Sequence, residues 1–169
     1  MAQSVVQGDL LVRGSLVSDT LVPSAGCVAD SHVAADAEIQ ATKLEHQHAI
    51  RHTLSGTVAA ATVPIHVARA AGEVVSVEVV PLTAPTGGDK AFTVDLKAGN
   101  QSTALATLLA SALSISNTTA DRQVRSATLG GDPTYADGDT LALVIATSGS
   151  TGTQASDVVI LVTLREAAD

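Results

Sequence analysis

The sequence predicts an all-β chain: an antiparallel β-sandwich or jelly-roll-like domain over residues 51–169, preceded by an extended N-terminal β arm and connector over residues 1–50. Three observations carry that prediction. From Leu54 onward apolar residues recur with period two, and turn residues punctuate the pattern at regular spacing. No segment is a long enough helix for a βαβ crossover, so an antiparallel arrangement follows. Hydrophobic residues make up 46% of the 169 residues while aromatics are 1%, so β-branched and small apolar side chains must fill the core.

The arm is read first. Residues 5–22, V-V-Q-G-D-L-L-V-R-G-S-L-V-S-D-T-L-V, are β-rich, with Gly8-Asp9 and Gly14-Ser15 placed as turns between short extended pieces. Such pieces are marginal alone and become stable when laid on the main domain or on sister chains. Pro23, Ser24 and Gly26 end the run. Between Val28 and Leu44 the apolar residues fall five or six apart, and neither Asp30 nor Ser31 has a Glu or Gln three residues on to complete a capping box. The expectation is an extended or partly helical connector.

The domain follows. Val63, Ile65 and Val67 alternate with Pro64, His66 and Ala68, and Pro64 predicts a strand that starts there or lies at a sheet edge. Val75, Val77 and Val79 form the inward face of the next strand. A turn-rich break with Gly87-Gly88 precedes a half-buried strand with Phe92, Val94 and Leu96 on one face, closed by Gly99-Asn100. Residues 103–116 fit a helical stripe through Leu105, Leu108, Leu109 and Leu113, but the all-β context favours a strand. A further strand is expected over 124–129 and a loop over 130–138. Residues 141–146 and 158–164 are apolar on both faces, as central strands are, with a polar loop between them.

Composition narrows function. The net charge of −8, with no basic run, disfavours binding to a phosphate backbone, and the scarcity of aromatics removes stacking platforms for bases or sugars. No nucleic-acid partner and no membrane partner are expected. The start lacks the basic and apolar regions of a signal peptide and no apolar run approaches a membrane span, so assembly in a cytoplasm is expected. Cys27 is the single cysteine and reads as a semi-buried hydrophobe.

Catalytic patterns are weak. Asp132, Asp137 and Asp139 lack the spacing and distal Glu of a calcium loop and read as turn residues. No G-x-S-x-G elbow or phosphate-cradling glycine pattern is present, so an enzyme is not expected. His46, His48 and His52 form a local cluster. In one extended chain His46 and His48 lie about 7 Å apart, a poor chelate, whereas three chains about a threefold axis would bring six imidazoles together. Solvated or interface histidines are the simpler reading, so neither metal nor cofactor is expected.

The segments V-Q-G-D-L-L-V-R-G-S-L-V (6–17) and V-A-D-S-H-V-A-A-D-A-E-I-Q-A-T-K-L-E-H-Q (28–47), followed by a sandwich carrying T-V-D-L-K (93–97) and A-D-G-D-T-L (136–141), resemble the head decoration proteins of tailed bacteriophages, also called cement or head-fibre proteins. A-T-K-L-E-H-Q (41–47) is the sharpest part; the sandwich portion is generic. The resemblance implies a homotrimer on the outer surface of the virion that bridges major capsid protein subunits and stabilises the head. It places Lys43, Leu44, Glu45, His46 and Gln47 at the joint of arm and sandwich. Leu10, Val12, Leu16, Ile39 and His48 complete the trimer or capsid interface candidates. His48, Arg51 and His52 lie beyond the matching motif. A second reading, from a different class, is a trimeric tail-fibre or receptor-binding module whose loops (81–89, 117–122, 148–156) recognise a host surface glycan; the lack of aromatic rings argues against it.

Overall fold

The computed structural model describes residues 46–166, so the arm and connector readings, and with them Leu10, Val12, Leu16, Ile39, Lys43, Leu44 and Glu45, lie outside the described residues. What is described is all-β: two antiparallel sheets that face each other as a sandwich.

The first sheet holds β1 (His46–Thr57), β10 (Ser156–Glu166), β3 (Gly72–Thr83) and β7 (Arg125–Ser126) in that order, with β8 (Thr134–Tyr135) also paired to β3. The second holds β2 (Ala61–Val67), β9 (Thr140–Ser148), β4 (Ala91–Gly99) and β5 (Ala106–Thr107), with β6 (Leu113–Ser116) also paired to β4. The two most apolar strands, β9 and β10, each sit between two neighbours, as their two-faced hydrophobicity requires. β2, which carries Pro64, has β9 on one side only among the described residues; a residue with no N–H to donate is tolerated at such an edge.

The inner faces follow the two-residue period. Val158, Ile160, Val162 and Leu164 of β10 are buried, and Phe92, Val94 and Leu96 of β4 meet them with Leu141, Leu143 and Ile145 of β9. Each such side chain contributes about 1.5–3 kcal/mol relative to an exposed one. Phe92 and Tyr135, the two aromatics, are both buried.

Three β-bulges interrupt the period, and each moves side chains. In β3 the register to β10 slips so that Ser76 and Val74 oppose the consecutive Thr163 and Leu164. Val75 is therefore the extra residue, pushed outward at 38% exposure, and Val74 takes the inward place expected for it. In β2, Pro64 and His66 oppose the adjacent Ala142 and Leu141, making Ile65 the extra residue. Past that point the parity inverts: Val67 is exposed while His66 and Ala68 turn inward, the reverse of the expected face. In β1 the slip falls between Leu54 and Thr57, where Gly56 has φ +73°.

Other expectations need correcting. The chain over 103–116 is not one strand: the short β5 and β6 are separated by turns, because buried Leu108 and Leu109 serve the core from a loop whose Leu108 N–H reaches the Leu96 carbonyl. The strand expected over 124–129 shrinks to β7, with Val124 56% exposed. The loop over 130–138 contains β8.

Candidate functional site

Among the described residues β1 and β2 each lie at an edge of a different sheet and follow each other in sequence, so the short link between them crosses the sandwich. Along β1 the even positions face inward: His48, Ile50, His52 and Leu54 are half-buried, while Gln47, Ala49, Arg51 and Thr53 are exposed. His48 pairs in register with Leu164 of β10, and two positions on, Glu166 lies on the same inner face between His46 of β1 and Gly72 of β3. The bulge at Ile65 turns His66 of β2 toward that same end.

Three side chains from three strands and both sheets therefore meet. His66 Nε2 donates to Glu166 Oε1 at 2.9 Å, with side-chain exposures of only 20% and 13%. The ring centroids of His48 and His66 are 5.4 Å apart at an interplanar angle of 54°. His48 Nε2 is buried and has no hydrogen-bond partner. One ligand atom from each of His48, His66 and Glu166 lies within 4.8 Å of the other two. Two imidazoles and a carboxylate so placed form a donor set for a borderline-soft divalent cation.

Beside this cluster, Gly72, Glu73, Thr134, Tyr135, Asp139 and Glu166 line a cleft of about 580 Å³. Tyr135 occupies the space over Gly72, where a Cβ would fall 2.5 Å from the hydroxyl oxygen. The hydroxyl is buried without a hydrogen-bond partner, and burial, reinforced by the negative charge of Glu166, pushes its pKa up to about 12. Arg165 pairs with Glu73 across β10 and β3 at the rim. Asp139, buried at the far side, accepts hydrogen bonds from Asn100 Nδ2 at 2.8 Å and from the Ala136 N–H at 2.9 Å, which is the turn role expected of it.

The opposite end of the sandwich is organised differently. The Asp89 carboxylate accepts from the N–H groups of Ser150 and Thr151 and from the Thr151 hydroxyl at 2.8–2.9 Å, and these bonds hold its pKa below the usual value. Thr86 and Thr153 exchange backbone hydrogen bonds, and Asn117 Nδ2 donates to the Gly88 carbonyl. The three loops named for glycan recognition in the second reading (81–89, 117–122, 148–156) are thus tied to one another by these bonds.

Of the interface candidates within the described residues, the His46 backbone opens β1, Gln47 is exposed and His48 turns inward to His66. The structure brings His48 together with two residues that local spacing did not select. Glu166 lies 100 residues from His66 in the chain, and the bulge that re-aims His66 has no sequence signal beyond the neighbouring Pro64.

No protein-family model matches the chain, and no curated protein matches it. Among solved structures, it is similar to the acidic stable capsid structure of Helicobacter pylori bacteriophage KHP30, with a TM-score of 0.45 and 10% identity, covering 75% of this chain and 95% of that one.

Proposed function

We propose that the protein is a structural virion component, a homotrimeric decoration or cement protein that binds the outer surface of a tailed-phage head through contacts to the major capsid protein and stabilises the shell. The observation that carries the reading is the passage from motif to edge strand. The last two residues of the segment A-T-K-L-E-H-Q, His46 and Gln47, are the first two of β1. β1 is 12 residues long and pairs only with β10 among the described residues. A strand edge of that length is a template for further pairing, and soluble proteins cover such edges. Sister chains about a threefold axis supply the cover, and closure by symmetry keeps the assembly finite. Many small contacts repeated over a trimer then add through avidity on a repeating lattice.

The test has two parts. Light scattering of the full chain is expected to give the mass of three chains, and the trimer is expected to co-sediment with undecorated heads and raise their resistance to heat. Removing residues 1–38 is expected to leave a folded sandwich that no longer binds. A monomer that ignores heads would sink the reading, and a truncated chain that still decorated them would refute docking by the arm.

A further inference from the structure

We propose that His48, His66 and Glu166 form an intrachain site for a divalent transition-metal ion, zinc being the best fit, that fastens the two sheets together at the end of the sandwich where β1 begins and β10 ends. The proposal does not depend on the capsid reading. It rests on four features of the structure.

The donor set is chemically apt: two imidazoles with a carboxylate are the set found at those zinc sites that use three protein ligands and take water in the fourth position. The geometry is nearly assembled. Tetrahedral zinc at about 2.0–2.1 Å from each ligand requires donors roughly 3.3 Å apart. His66 Nε2 and Glu166 Oε1 are 2.9 Å apart, and all three donors fall within 4.8 Å of one another. The site also contains a buried nitrogen without a partner, His48 Nε2, and burying a polar atom unpaired is costly. A metal ion would satisfy it. Finally, the chain bends to build the cluster: without the bulge at Ile65, the two-residue period of β2 would carry His66 to the outer face.

On binding, the ion takes the place of the proton between His66 Nε2 and the carboxylate, and the neutral imidazole shifts that proton to Nδ1, so the ring keeps one N–H and no net proton is released. Of the three ligands, Glu166 also lines the cleft that holds Tyr135. Because the ligands come from β1, β2 and β10, binding ties an edge strand of each sheet to the central strand β10, and the ion stabilises the folded chain to the extent that the unfolded chain binds it less well.

The stoichiometry separates this site from one shared on a threefold axis. Metal-free full-length protein, prepared with a chelator, is titrated with zinc by calorimetry and with cobalt(II) by visible absorption. One ion per chain, the intense bands of tetrahedral cobalt, and a rise in Tm of about 5–10 °C at a hundredfold excess of zinc over Kd are expected. Glu166→Gln and His66→Gln preserve side-chain volume and should lose the bands and the Tm rise while keeping the far-ultraviolet circular dichroism of the parent. Absence of binding at micromolar zinc would overturn the proposal. So would one ion per three chains, or cobalt bands that survive His66→Gln, both of which would place the metal elsewhere.

Discussion

Gly56 donates its backbone N–H to the Asp157 carboxylate at 2.8 Å across the β1–β10 pairing, and both residues hold positive φ, +73° and +53°. The two strands thus turn their ends together, with the bulge of β1 locked by a side chain of its partner. Gly56→Ala has open space for its Cβ, so its cost is conformational alone, about 1–2 kcal/mol. Asp157→Ala loses the bond and keeps the strained φ, whereas Asp157→Gly loses the bond and relieves the strain. Urea denaturation should therefore rank Asp157→Ala below Asp157→Gly in stability.

Tyr135 is the single tyrosine of the chain, so absorbance at the phenolate band follows it alone. Its midpoint is expected at about 12 rather than 10. Because the folded value lies above the unfolded one, stability is intact below pH 10 and falls as pH rises from 10 through 12. Tyr135→Phe removes a buried hydroxyl that has no partner and should be neutral or stabilising by up to about 1 kcal/mol.

Asp89 behaves in the opposite sense. Its folded pKa is lowered, so the loop clamp is complete above the unfolded value of 3.8 and is lost as pH falls through the folded one. Asp89→Asn at neutral pH should speed amide exchange at Ser150 and Thr151 with little change in global stability, since the clamp lies in solvent. Unchanged protection at both amides would show that the clamp is dispensable.

The β3 bulge predicts a difference between adjacent valines. Val74→Thr buries a hydroxyl and should cost about 1–3 kcal/mol, whereas Val75→Thr, on the exposed bulge, should stay within about 0.5 kcal/mol. Phe92→Ala, at 0% exposure in the middle of the core, sets the upper mark at about 3–5 kcal/mol. Equal costs at Val74 and Val75 would contradict the register.

What the sequence made legible was whatever a two-residue period reports. The central position of β9 and β10, the edge position of Pro64 and the close of β4 at Gly99 all follow from local pattern. Strand β1 was hidden because two of its inward positions are histidines, so the alternation His48, Ile50, His52, Leu54 does not look apolar. Val75 and His66 were misplaced because a single inserted residue inverts every side chain beyond it. The Leu105–Leu113 stripe misleads for another reason: loop leucines can fill a core without belonging to any regular element. The cluster of His48, His66 and Glu166 combines both obstacles, a bulge and a partner 100 residues away.

The antiparallel course of β10 has a practical consequence. It begins at Ser156, beside the clamped loops, and ends at Glu166, opposite His46 where the described chain begins. Eleven residues of strand span about 35 Å, so the Ser150–Thr151 tip is held that far from the motif end by a rigid spacer. A peptide grafted at that tip would be presented at a fixed standoff from the start of β1.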